Sequence, residues 1–335
     1  TLQTGFKTRV VEDIEENHLM YLAVQQALMD ERKLLGKTNS MILEVGGGTT
    51  EIMLLRRGRM VSSHSLHIGT LRLEEQMKEA GASKDYLEEY LASNIRMACD
   101  LMADDMPLES VKTFIVIGAD ARFAAYCMSG KNFGAYSILE RNQFMGFAES
   151  ISRLSVEECI ATYRLPWSEA QGIASGLAIE SLFLGRTGAE IVVIPNVSIR
   201  EGLLLAEARG MDPKVENELT RQVVASAKSL GKRYRYDDDH ARNVCALSLA
   251  IFDELAKEHG MGSRERLLLE TAAILHDIGT YVRASGHHRH GEYIVANSEI
   301  FGLNRSDINV ISNVVRYHRK NPPAPTHVNF ISLPR

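Results

Sequence analysis

Three consecutive glycines, Gly46-Gly47-Gly48, stand between two apolar runs at residues 41–45 and 51–55. Glycine spends backbone entropy in a helix and gives nothing to pack, so this stretch reads as a turn between two strands. A second turn, Arg56-Arg57-Gly58-Arg59, is followed by Met60-Val61, which extends the pattern to strand, turn and strand. Ahead of it, Ile14, Leu19, Leu22, Ala23, Val24, Ala27 and Leu28 recur at helical spacing over 12–35, closed by Gly36. Beyond it the spacing predicts a helix over 71–102, buried strands at 113–117 and 190–195, and helices between them. Strands alternating with helices imply an α/β layered domain.

The pattern changes after about residue 206. Helical stretches at 215–230, 240–258, 264–278 and 307–316 follow one another with no convincing strand, and Gly210 and Pro213 punctuate the joint. The chain therefore divides into an α/β domain over 1–207 and an all-α domain over 214–335. Its 335 residues, 45% hydrophobic and 24% charged, suffice for two cores. A net charge of -5 without basic runs gives no reason to expect nucleic acid as a partner. Cys99, Cys127, Cys159 and Cys245 are far apart and form no CxxC pair, which fits core residues in a reducing compartment. No apolar run approaches the roughly 18 to 20 residues a membrane span needs, so we expect a cytoplasmic chain without a membrane partner.

The glycine turn is bracketed by carboxylates: Glu44 precedes it, and Thr49, Thr50 and Glu51 follow. Backbone N–H groups of such a turn can close on phosphate oxygens without interference from Cβ atoms. Glu44 and Glu51 can hold Mg²⁺ or orient water, and Thr49 can donate to phosphate. The plainer explanation is a hairpin tip that needs positive φ.

Five segments in order resemble the exopolyphosphatase / guanosine pentaphosphate phosphohydrolase (Ppx/GppA) family: residues 11–21 around Glu15-Glu16, the glycine turn, 65–73 (SLHIGTLRL), 116–124 (VIGADARFA) and 197–204 (VSIREGLL). The resemblance implies an α/β domain of the actin, sugar kinase and Hsp70 type, built on a ribonuclease H-like sheet. It implies a hydrolase that splits terminal phosphoanhydrides of inorganic polyphosphate or guanosine pentaphosphate (pppGpp), with Mg²⁺ as cofactor and with homodimers common. Carried over by motif, Glu16 is the base for the attacking water, assisted by Glu51; Gly46, Gly47, Gly48 and Thr49 bind phosphate; Glu44 and Glu51 hold the metal. Arg72, with Arg122 and Arg200, reads equally as a phosphate ligand or as a structural partner. Two departures stand out: Glu44 replaces the usual Asp, and Asn17-His18 replaces Ala-Arg, exchanging a permanent cation for a titratable one. The family also places a first phosphate hairpin ahead of this region, so the chain is expected to be a piece trimmed at its N-terminal side.

In the helical half, His276-Asp277 ends an apolar helix just before Gly279. His240 shares a helical face with Val244, Leu247 and Ile251, and His318 with Ile311, Val314 and Val315, so both are expected to look inward. His287, His288 and His290 lie between them. Inward imidazoles beside a carboxylate are the makings of a divalent-metal site for Mn²⁺, Fe²⁺ or Zn²⁺. Residues 215–320 are similar to HD-type phosphohydrolases, which implies His240, His276, Asp277, His290 and His318 as ligands. A later Asp used by many HD domains is not visible, and the C-terminal end is expected to be trimmed as well. Three readings stand side by side: an exophosphatase at the glycine turn, a nucleotide hydrolase at the histidines with the α/β half as sensor, and a polyphosphate- or nucleotide-binding regulator without turnover.

Overall fold

The computed structural model describes residues 13–80, 84–130, 134–209, 213–320, 322–331 and 333. Contacts divide the chain into an α/β unit that begins at Met20 and a helical unit, which takes the start of the first helix through Leu19 and the chain after the joint at Gly210.

The long N-terminal helical pattern is two helices, α1 (Asp13–Ala27) and α2 (Arg32–Gly36), separated by a 3-10 turn at Met29–Glu31. The strands β1 (Asn39–Val45), β2 (Thr50–Arg56) and β3 (Arg59–Leu66) form an antiparallel meander. Arg57 and Gly58 both have positive φ (50° and 76°), the backbone a two-residue hairpin turn requires. The expected helix over 71–102 is likewise two, α3 (Thr70–Ala80) and α4 (Lys84–Ala103). Then come β4 (Val111–Ile117), α5 (Ala119–Ser129), β5 (Tyr136–Glu140), α6 (Arg141–Ser152), α7 (Val156–Tyr163), α8 (Trp167–Gly185), β6 (Ile191–Pro195) and α9 (Ile199–Arg209).

The six strands form one sheet in the order β3-β2-β1-β4-β6-β5, with β1, β4 and β6 parallel and β5 antiparallel at the edge. Strands buried on both faces need continuous apolar sequence, which is why Met41, Ile42, Leu43, Phe114, Ile115, Val116 and Ile117 all reach zero exposure. Met41, Leu43, Val45, Ile52, Leu54, Phe114 and Val116 belong to one core cluster. Side chains alternate along a strand, so Glu44 and Glu51 lie on the opposite face. Helix α8, which buries Ala170, Ile173, Leu177, Ile179, Phe183 and Leu184, is the hub of the cluster, packing on α3, α4, α5, α6 and α7 and reaching β1.

The helical unit contains α10 (Pro213–Arg233), α11 (Asp238–Glu254), α12 (Ala256–His259), α13 (Ser263–Leu275), α14 (His287–Ala296), α15 (Arg305–Tyr317) and α16 (Val328–Ile331). Its core gathers Val223, Ala227, Leu268, Leu275, Ile278, Val295, Ile311 and Val315 around α13, which packs on α10, α11 and α15. No helix among the described residues is long and apolar enough to cross a membrane.

Candidate functional site

The α/β unit builds the glycine turn at the carboxyl end of β1. Gly46 N–H donates to Thr49 O at 2.9 Å and closes the tip. Thr50 Oγ1, fully buried, donates to Ile68 O at 2.6 Å and ties the second limb to the segment that follows β3. That segment clamps the turn from below: Thr70 N–H donates to Gly46 O (3.0 Å), and Leu71 and Arg72 N–H donate to Gly47 O (3.0 and 3.1 Å). The turn carbonyls thus cap the first turn of α3, whose N–H groups lack partners within their own helix.

The turn corrects one expectation. Gly46, Gly47 and Gly48 do not have positive φ, so left-handed backbone is not the reason for glycine here. The reason is close approach. A Cβ on Gly69 would stand 2.5 Å from the Gly47 backbone, and one on Gly47 would stand 2.9 Å from Leu71 Cδ1. Gly48 alone faces open space at an exposed tip, with nothing within 4 Å of where its Cβ would be. A bound anion can reach the backbone there.

Glu44 and Glu51 are direct register partners across β1 and β2, and Ser65 is the partner of Glu51 across β2 and β3. Cross-strand partners share a face, so the three side chains form one polar row beside the turn. Glu51 is only 2% exposed, and its Oε1 accepts from Ser65 Oγ at 2.6 Å. Two hard carboxylate oxygens on one face beside an open backbone tip suit Mg²⁺ by donor type. Arg72 is exposed on α3, while Arg122 uses its guanidinium on Val197 O at 2.8 Å, a structural role. Glu16 is half-buried on the part of α1 that groups with the helical unit.

Asn17-His18 does not supply the titratable cation expected of it. Asn17 is buried, and the His18 ring packs on Phe301 at 6.1 Å. Burial is the main cause that pulls the His18 pKa down to about 4, with Glu15 opposing and Arg264 assisting, so the ring is neutral at pH 7.

At the same end of the sheet as the turn, where β4 and β6 finish, a cavity of about 650 Å³ is lined by Arg122, Phe123, Tyr126, Tyr163, Arg164 and Asn196 among others. The carboxyl ends of parallel strands are where open α/β sheets take ligands. Sequence reasoning missed this cavity because its lining comes from three separated segments.

A second polar cluster missed in the sequence lies within the same unit. Asp120, half-buried at the start of α5, stands beside the fully buried Glu180 of α8. A Cβ on Gly176 would collide with the Asp120 carboxylate, so this glycine is the notch that seats it, one helical turn from Glu180. Neither Glu180 oxygen has a hydrogen-bond partner among the described residues. Burial raises the Asp120 pKa to about 7 and also raises that of Glu180, where the Asp120 charge adds to it.

The helical unit brings four imidazoles onto one carboxylate. His276 follows the last residue of α13, and its Nδ1 donates to Ala273 O at 2.8 Å. His287 opens α14 and His318 follows α15; their Nδ1 atoms donate to Ala284 O (2.9 Å) and Val315 O (2.7 Å). A carbonyl only accepts, so each of these three rings carries a proton on Nδ1 and turns Nε2 toward Asp277. Asp277 Oδ2 lies 3.4 Å from His276 Nε2 and 3.6 Å from His240 Nε2, while Oδ1 lies 3.1 Å from His287 Nε2 and 3.6 Å from His318 Nε2. Burial, with His276 and His287 assisting, holds the His318 pKa below its usual range.

Two expectations about these histidines change. His290 is not in either ligand group; His287, one turn earlier, takes the place assigned to it. The cause is Gly279: a Cβ there would collide with the His287 carbonyl and Gly291 N, so the first turn of α14 is pressed against the loop after Asp277 at His287. His240 does reach the cluster, but its helix face does not look inward, because Leu247 and Ile251 are 57% and 61% exposed.

Comparison with known proteins follows the same division. The profile of the Ppx/GppA phosphatase family matches residues 2–210, and that of Ppx/GppA phosphatase domain III matches residues 222–331. A guanosine-5'-triphosphate,3'-diphosphate pyrophosphatase of Pseudoalteromonas translucida is 26% identical over 291 residues, covering 84% of this chain and 56% of that protein. The protein of that name from Aeromonas hydrophila is 23% identical over 294 residues, 83% of this chain and 54% of its own length. The chain thus spans little more than half of these curated relatives. Among solved structures, an exopolyphosphatase from Cytophaga hutchinsonii has a TM-score of 0.53 at 14% identity, covering 62% of this chain and 68% of that one. The Aquifex aeolicus member of the Ppx/GppA family has a TM-score of 0.51 at 19% identity, covering 63% and 67%. These likenesses show the fold: a mixed α/β sheet followed by a helical region.

Proposed function

The chain belongs to the Ppx/GppA phosphatase family, and we propose that it is a phosphohydrolase that removes the terminal phosphate of pppGpp by attack of water at the glycine turn. The observation that carries this reading is the polar row Glu44, Glu51, Ser65 beside a turn whose tip is open at Gly48. Phosphoryl transfer to water asks a protein for positioning and charge neutralisation more than for covalent chemistry. The water oxygen bonds to the terminal phosphorus, the anhydride P–O bond breaks, and the water's proton passes to a carboxylate. Glu51 is the buried carboxylate of that row, and Ser65 holds it in place through the 2.6 Å bond. Mg²⁺, held by Glu44 and Glu51, supplies charge neutralisation on the phosphate oxygens when bound.

The cavity at the ends of β4 and β6 favours a nucleotide over inorganic polyphosphate. It pairs aromatic side chains Phe123, Tyr126 and Tyr163 with the cation Arg164, which suits a base and its phosphates. The names of the Pseudoalteromonas and Aeromonas relatives point the same way. We read the helical unit as HD-type from the His276-Asp277 pair at the end of α13. The substrate assignment is tested by kcat/KM for pppGpp and for long-chain polyphosphate in wild type and Tyr126→Ala. A loss of about tenfold for pppGpp alone supports it; equal losses for both, or turnover of polyphosphate only, reject it.

A further inference from the structure

Glu180 sits on α8 with 0% of its surface exposed, and no donor among the described residues reaches either carboxylate oxygen. A buried carboxylate in that state is costly, and native interiors hold few of them. Gly172, Gly176 and Glu180 are spaced four residues apart, so they share one face of α8. What stands against that face is oxygen. A Cβ on Gly172 would be 3.2 Å from Thr70 Oγ1, and one on Gly176 would collide with the Asp120 carboxylate. Helical side chains lean toward the N-terminal side of their own Cα, so Glu180 leans over the turn at Gly176, where Asp120 is seated.

The charges of this cluster do not balance. The charge that acts on Glu180 is that of Asp120, and the one set against Asp120 is Arg122, whose guanidinium is engaged on Val197 O at 2.8 Å. A proton on one carboxyl neutralises one charge and supplies a single donor to the carboxylate oxygens of the pair. A divalent cation neutralises both charges and takes several oxygens at once. We propose that Asp120 and Glu180 form an interior site for a hard divalent cation, Ca²⁺ or Mg²⁺, between α8 and the start of α5.

The donors are carboxylate oxygens, with the Thr70 hydroxyl one helical turn further along α8, and hard oxygens select Ca²⁺ or Mg²⁺ over Zn²⁺ or Fe²⁺. Exposure marks the way in. Thr70 and Asp120 are half-buried and Glu180 is closed off, so a cation arrives from the Thr70 and Asp120 side and meets Glu180 last. Bound there, it ties α8 to the first turn of α5, whose Arg122 and Phe123 line the cavity. The neighbouring Thr70 opens α3 and holds Gly46 O at 3.0 Å, so the site backs onto the glycine turn. Its ligands are separate from Glu44 and Glu51, which lie on the opposite face of the sheet, and it does not depend on the reading of that turn.

The test is Ca²⁺ binding to the whole chain at pH 8, stripped with chelator and counted by equilibrium dialysis, with Tm read on the same samples. Wild type is expected to bind one equivalent more than Glu180→Gln and one more than Asp120→Asn. Any ion at Glu44 and Glu51 or at the histidines is common to all three proteins and cancels in the difference, so failure of the glycine-turn reading leaves the count untouched. With chelator present, Glu180→Gln is freed of a buried charge and is expected to melt higher than wild type. Added Ca²⁺ is expected to raise the Tm of wild type alone and close that gap. Mg²⁺ is titrated in parallel; an equivalent gained with either ion bears the proposal out, and the tighter one names the cation. Equal binding by wild type and both variants, each folded by circular dichroism, overturns the proposal and leaves the pair with a proton. Should Glu180→Gln fail to fold, Asp120→Asn, at a half-buried position, carries the comparison.

Discussion

At the scale of single residues, two buried titrations give the protein its expected pH dependence. His18 titrates near 6.5 when unfolded and at about 4 when folded. A depressed folded pKa means that stability is intact above about 6.5 and falls as pH drops toward 4, by roughly 2 kcal/mol at pH 5. Urea unfolding at pH 7 and pH 5 should show that loss in wild type and not in His18→Phe, which replaces the ring with one that packs on Phe301 without a proton to take up. The Asp120 and Glu180 pair has the opposite sign. Both folded pKa values are raised, Asp120 to about 7, so stability is full below the ordinary carboxylate range and is lost as pH rises through 7. Glu180→Gln, whose amide can donate to Asp120, should raise Tm at pH 8 by the equivalent of about 1–2 kcal/mol and change little at pH 4. A Tm gain of equal size at both pH values would show that the pair does not ionise. Neither effect was legible in the sequence: Asp120 and Glu180 are sixty positions apart, and only the Gly176 notch brings them together.

At the scale of elements, the sequence was readable where burial imposes a regular period and unreadable where it does not. The glycine turn, the Arg57-Gly58 hairpin, β4 and β6 could be read because both faces of those strands are buried and their apolar runs are unbroken. β5 was missed because it is a five-residue edge strand with Ile138 45% exposed, too short and too mixed to show alternation. α14 was missed because its first turn is His287-His288-Arg289-His290, a segment that reads as polar loop, and the histidine of that turn that groups with Asp277 is His287, where His290 was expected. Contacts between elements, not composition, pick out His287. The two glycine contacts carry the clearest mutational forecast. Gly69→Ala forces a Cβ into the backbone of Gly47 and Gly48, and should cost on the order of 3 kcal/mol in urea unfolding while lowering phosphate release. Gly279→Ala drives α14 away from the loop after Asp277 and should lower metal content without that effect on the turn.

At the scale of the whole molecule, the chain carries two separately packed cores, one around α8 and one around α13, and a candidate site within each. The family resemblance was legible in the α/β half, because five short motifs in order between residues 11 and 204 survive at low overall identity. The division of labour between the halves was not, since it depends on which side chains meet within each core. The central claim is that the glycine turn with Glu51 is where phosphate is released. It is tested most directly by phosphate release from pppGpp with Mg²⁺ present, in wild type and Glu51→Gln, with folding of both checked by circular dichroism. Wild type should release phosphate, and the variant, which keeps the shape but not the charge beside Ser65, should be slower by about a hundredfold or more. Unchanged release in a folded Glu51→Gln protein would contradict the account.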